Sequence, residues 1–103
     1  MASVLVLYNP PADPEAFDRH YREVHAPLAA RIPGLRAYTV SEGVFAADGK
    51  APYHLVAELS FDSMDALQAA MASPEAQAAV ADMPNFAQAG ATVLMVQKRS
   101  AMG

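Results

Sequence analysis

Hydrophobic and polar positions along the chain change rhythm several times, and each change marks an element. Residues 3–8, SVLVLY, form an unbroken aliphatic and β-branched run closed by Asn9-Pro10-Pro11, which predicts a strand apolar on both faces. Residues 13–34, DPEAFDRHYREVHAPLAARIPG, switch to the helical period. Phe17, Tyr21, Val24, Leu28 and Ile32 fall in a stripe about 80° wide on a wheel of ~100° per residue. Asp13 is placed to cap this helix, Pro14 suits its first position, and Pro33-Gly34 stops it. His25 falls at the stripe's edge, whereas His20 lies on the opposite flank and reads as solvated.

Residues 35–45, LRAYTVSEGVF, predict a long second strand with a bulge at Gly43, and Asp48-Gly49 marks the turn that follows. Residues 53–61, YHLVAELSF, alternate cleanly: Leu55, Ala57, Leu59 and Phe61 share one side, His54, Val56, Glu58 and Ser60 the other. Asp62 is expected to cap a helix that turns Met64, Leu67 and Met71 inward; Ser73-Pro74-Glu75 starts another, running to about Asp82. The loop MPNFAQAG leads to a last strand at 91–97, ATVLMVQ, and the tail KRSAMG is expected to fray.

Strand, helix, strand, strand, helix pair, strand is the order of the ferredoxin-like α+β fold, a four-stranded antiparallel sheet with helices on one face. The helix-free face of such a sheet is polar when it meets water. Here the first and last strands carry Val, Leu and Met on both sides, and no element is left over to cover them. A homodimer packed through the sheet faces is the arrangement this predicts.

Pro27 stands inside the first helix, where it removes the bond to the Glu23 carbonyl and crowds it, at a cost of roughly 3 kcal/mol. A kink beside it would open a gap between helix and sheet next to His25, the natural place for a small ligand. The competing reading is that His25 satisfies the core edge while Pro27 only shapes the helix.

At 103 residues, residues 1–103 are expected to form one domain, and 53% apolar composition supplies its core. The formal charge of −4 and the absence of any Lys or Arg cluster argue against nucleic acid as a partner. With no cysteine, the chain excludes disulfides, thiolate catalysis and cysteine-ligated metals. No His-Glu-x-x-His spacing or glycine-rich phosphate loop is present, so neither a metal nor a cofactor is expected. The N-terminal apolar run is too short for a membrane span or signal peptide, and the expected location is the cytoplasm.

The segments His25-Ala26-Pro27-Leu28 and Ile32-Pro33-Gly34-Leu35, the strand ending at Tyr8, Phe17 and Tyr21 on the helix, and Tyr38 together resemble the EthD family. Ser73-Pro74-Glu75 and Asp82-Met83-Pro84-Asn85-Phe86 are similar to its second half. The resemblance spans nearly the whole chain. It implies a ferredoxin-like subunit pairing into a dimeric α/β barrel, with a pocket between helices and sheet. The wider superfamily includes lactone isomerases, polyketide cyclases, cofactor-free oxygenases and haem-degrading enzymes, so the fold does not settle the function. His25 matches the family's helix histidine, Tyr38 a tyrosine after the Pro-Gly-Leu turn, and His54 a polar strand position.

If the chain is an enzyme, its means are imidazole and phenol. His25 is the candidate base for a proton beside a carbonyl, and Tyr38 the candidate donor to the enolate oxygen. His54 is the third catalytic candidate, although strand parity turns it to the helix-free face, away from His25. Glu58 shares that parity and needs a partner, with Arg36 or the other subunit as candidates. Tyr8, Tyr21, Leu28, Tyr53 and Phe86 are the candidate substrate-binding residues. The reading is a cofactor-independent isomerase, cyclase or oxygenase for a small apolar or aromatic carbonyl compound. The alternative is a non-catalytic ligand-binding or accessory protein of a degradation pathway.

Overall fold

A computed structural model describes residues 1–102 and shows a four-stranded antiparallel sheet with all of its helices on one side. The strands are β1 (Ala2–Tyr8), β2 (Ala37–Val40), β3 (Leu55–Phe61) and β4 (Ala91–Gln97), in the order β2-β3-β1-β4. This is the split βαββαβ topology expected of a ferredoxin-like chain, with the most apolar strand, β1, at the centre beside β3. Val4, Val6 and Tyr8 of β1 and Ala57, Leu59 and Phe61 of β3 face the helices and are buried.

The first helical stretch comes in three parts: α1 (Pro14–His20), a π-helical turn (Tyr21–His25) and α2 (Ala26–Ala29). Asp13 caps α1 by accepting from the Ala16 amide at 3.1 Å. The π turn is how the chain accommodates Pro27. A regular helix would aim the ring at the Glu23 carbonyl, whereas here the Ala26 amide reaches back to the Tyr21 carbonyl and the helix widens just ahead of the proline. The extra residue in that turn rotates everything after it. The inward face becomes Phe17, Tyr21, His25, Ala29 and Ile32, all buried, while Val24 is 41% exposed. The even α-helical stripe is thus corrected: His25 takes the inward position assigned to Val24, and Ala29 takes that of Leu28.

Other expectations are also revised. β2 stops at Val40, because the Ser41 side chain accepts from the Val56 amide and residues 41–54 leave the sheet as a loop with Phe45 exposed. The helix α3 (Met64–Met71) is capped by Ser63, one residue later than expected, since Asp62 is engaged by the Arg36 guanidinium. Ser73 caps α4 (Pro74–Asp82) as its Ser-Pro-Glu signal predicts. Glu58 pairs with Lys98 at 2.8 Å, not with Arg36, and Lys98 also ties the tail to the Met1 carbonyl through its amide. The chain leaves the helical layer through Gly34, whose φ of +80° any side chain would resist.

The helix-free face is more mixed than a uniformly greasy underside. By register it carries Leu5, Leu7, Val56, Leu94 and Val96 interleaved with Ser3, Ser60, Thr39, Thr92 and the Glu58–Lys98 pair, Leu5 lying opposite Glu58 and Val96 opposite Ser3. No helix of the described residues is long and apolar enough to cross a membrane.

Candidate functional site

The π turn presents His25 to the space between helices and sheet, and α4 meets it there with Asp82. Asp82 is 7% exposed, yet both of its oxygens are occupied. His25 Nδ1 lies 3.1 Å from one oxygen, His20 Nε2 lies 2.9 Å from the other, and the Asn85 side-chain amide donates to the second at 3.0 Å. Burial works against the Asp82 charge, but the donors from Asn85, His20 and His25 together outweigh it and hold its pKa below the ordinary carboxylate value.

A carboxylate has only acceptors to offer, so the nitrogen facing it must carry the proton. His25 is therefore held with its hydrogen on Nδ1, leaving Nε2 as a free lone pair. Nε2 makes no hydrogen bond with the described residues and is not sealed away from the adjoining cavity. Burial lowers the His25 pKa, and the Asp82 carboxylate recovers only part of that loss, so the neutral base is the resting form at neutral pH.

The cavity that His25 faces encloses about 80 Å³. Tyr8, Tyr21, Tyr38 and His25 line it together with Val4, Leu59, Ile32, Met71 and Ala76, Tyr38 rising from β2 opposite Leu59 to reach the Tyr21 hydroxyl. The Tyr21 and Tyr38 hydroxyls share a hydrogen bond of 2.5 Å. Burial pushes the pKa of all three tyrosines up, so each stays a phenol and keeps a proton to donate.

The structure brings together His25, Tyr8, Tyr21 and Tyr38. Of the others, Phe86 packs against this group without lining the cavity, and the rest lie apart. His54 lies outside β3, so strand parity does not govern it. Its ring turns to the helical layer, bonds Asp18 at 2.7 Å and packs on Phe17, in a surface groove apart from the cavity. Tyr53 lines that same groove. Leu28, displaced by the π turn, lines a shallow cleft against α4 with Arg31 and Pro74. Phe86 is buried, with its ring 4.7 Å from that of His25, 5.3 Å from His20 and 5.6 Å from Tyr8, and it lines a different cleft.

Two residues that sequence reasoning passed over complete the cluster. His20, read as solvated, is only a quarter exposed and stacks on Phe86. Asp82, read as the mere end of a helix, carries the one available signal: a carboxylate in a helix's last turn opposes the macrodipole and needs another reason to be there. Met71, expected to point inward from its helix, and Met83 also line the cavity. Among the described residues no group of three or more His, Cys, Asp or Glu is disposed to hold a metal ion; the two imidazoles point straight at the carboxylate.

A split βαββαβ sheet whose helical layer carries an imidazole–carboxylate cluster over an apolar cavity defines a ferredoxin-like α+β protein with a cavity between helices and sheet. The model of the EthD domain matches residues 9–90, and the chain belongs to the EthD family. Over 103 residues it is 39% identical to an uncharacterized 11.0 kDa protein from the thcB-thcC intergenic region of Rhodococcus erythropolis, with 99% of each chain covered. An EthD family protein of Bacillus halodurans superimposes with a TM-score of 0.89 at 35% identity, over 96% of this chain and 99% of that one. SnoaB of Streptomyces nogalater, a cofactor-independent oxygenase, shares the fold with a TM-score of 0.62 at 17% identity, over 98% and 95% of the two chains.

Proposed function

We propose that this EthD family protein is a cofactor-independent enzyme that removes a proton beside the carbonyl of a small apolar compound, with His25 as the base. The observation that carries this reading is the unpaired Nε2 of a buried, neutral imidazole whose other nitrogen is held by Asp82. A carbonyl compound in the cavity would set its α-carbon against Nε2 and its oxygen against the Tyr38 hydroxyl. The C–H electron pair moves into the enolate, the proton goes to Nε2, and Asp82 stabilises the imidazolium that forms. If Tyr21 donates to Tyr38, the Tyr38 proton is free for the enolate oxygen. Return of the proton to a different carbon gives isomerisation, and attack of the enolate on a second carbonyl gives cyclisation.

The test is solvent-deuterium incorporation beside the carbonyl of simple ketones, followed by NMR. Replacing His25 with Ala is expected to slow exchange by about 10² or more, and Tyr38→Phe by about 10². Exchange by His25→Ala at the wild-type rate would remove the histidine mechanism. Ketone binding with no exchange by the wild type would favour the ligand-binding or accessory role.

The same reading places the protein in solution as a homodimer. Leu94 is 46% exposed on the helix-free face, with Leu5, Leu7, Val56 and Val96 around it, an apolar area that a second copy of the same sheet would cover. Cytoplasmic residence, with neither nucleic acid nor membrane as partner, belongs to this proposal too.

A further inference from the structure

Asp82 holds more donors than the His25 mechanism needs. The Asn85 amide at Oδ1 and the His25 Nδ1–H at Oδ2 already give each carboxylate oxygen a partner, 3.0 and 3.1 Å away. His20 comes on top of them. Its Nε2 spans the carboxylate, 2.9 Å from Oδ1 and 3.1 Å from Oδ2, so it contacts the same oxygen that serves His25. The Asn85 amide is neutral at every pH, whereas an imidazole can gain a charge.

The two imidazoles differ in their access to water. The side chains of His25 and Asp82 are each 7% exposed, while that of His20 is 26% exposed and stacks on Phe86. With His20 Nε2 turned to the carboxylate, Nδ1 makes no hydrogen bond with the described residues and is the nitrogen that a solvent proton can join. Protons from solvent therefore meet the cluster at His20, and protons from the cavity meet it at His25 Nε2.

One buried carboxylate offsets one positive charge. While His20 is neutral, the Asp82 charge is available to an imidazolium at His25. Once His20 is protonated that charge is matched, and a further proton on His25 would set two like charges on one carboxylate. At His25 burial resists a proton, Asp82 attracts one, and a charge on His20 resists again. Among the described residues the ion pairs of both rings are with Asp82 alone; Arg22 and Glu23, on the same helical stretch, pair with each other on its exposed face.

We propose that His20 is a positioning residue that guards the base: it takes up the proton that solvent supplies, draws the Asp82 charge to itself, and so keeps His25 free for the proton of the substrate. This rests on the reading of His25 as the base. His20 touches no substrate atom and acts through Asp82 alone. The guarded base is weaker, because the carboxylate that would stabilise its imidazolium is shared.

Titration of the histidine ring Cε1–H resonances by NMR, on the protein without substrate, tests the exclusion directly. The two rings are expected to charge in separate steps as pH falls, His25 in the second. His20→Gln keeps an amide donor for Asp82 and cannot charge. In that variant the His25 step should move up by about one pH unit, the size of shift that a nearby charge imposes. The acid limb of ketone α-proton exchange should move up by the same interval. A merely structural His20 would instead scale the exchange rate equally at every pH. His25 charging first in the wild type, or an unmoved His25 step in a folded His20→Gln protein, would overturn the guard. Separate steps and a moved midpoint without any exchange would bear out the shared carboxylate and remove His25 as the base; exchange with an unmoved midpoint would do the reverse.

Discussion

Asp82 has two oxygens and accepts from His20, His25 and Asn85, so it cannot be removed without stranding several donors. Asp82→Ala is expected to cost about 3 kcal/mol or more in chemical denaturation, since each buried group left unpaired costs ~1–3 kcal/mol. The cluster also fixes how stability depends on pH. The folded-state pKa of His25 is lowered from 6.5, so its contribution is fully present above 6.5. It is lost as pH falls below that value, because the unfolded chain then binds a proton that the fold resists. Asp82, lowered from 3.8, contributes stability that is present above 3.8 and is lost as pH falls through its folded value. Denaturation midpoints should therefore decline in two stages, first below about 6.5 and again below about 4. His25 itself was legible as a candidate because Pro27 follows it in a helix. Its partners were not, since contact between residues 62 and 57 positions away in sequence is made by tertiary packing and leaves no local pattern.

At the scale of the element, the π turn at Tyr21–His25 decides which side chains meet the cavity. A wheel with a fixed ~100° step reads α1 correctly and then drifts, which is why Val24 and Leu28 were placed inward and Ala29 was not. The proline that forces the widening was visible; the direction of the rotation was not, because a kink and a π turn relieve the same clash. Since the wide turn has already relieved Pro27, restoring the amide gains little. Pro27→Ala is expected to change stability by less than about 1 kcal/mol, well short of the ~3 kcal/mol that proline costs in a regular helix interior. Thermal unfolding of the variant checks this, and a gain near 3 kcal/mol would show that the turn is strained. The strands were read more securely because alternation has no comparable freedom: the buried set Ala57, Leu59 and Phe61 is the one parity assigns. His54 escaped that rule only because β3 begins one residue later.

For the whole molecule, the order of apolar runs was enough to give the sheet, its helical cover and the family, because topology in a chain this short has few alternatives. The character of the bare sheet face was only half legible: apolar residues do gather at Leu5, Leu7 and Leu94, but Ser3, Ser60 and Glu58 form their own hydrogen-bonded group beside them. Leu94→Glu, which puts a charge in that apolar area, should convert a dimer to a folded monomer in sedimentation velocity at micromolar concentration. A wild-type chain that sediments as a monomer would refute the pairing. The functional account, however, turns on one proton. Long-range ¹H–¹⁵N correlation spectra of the histidine side chains, recorded across a pH titration, report it directly. The account predicts a neutral His25 with its hydrogen on Nδ1, titrating below 6.5; a hydrogen on Nε2, or titration at or above that value, would contradict it.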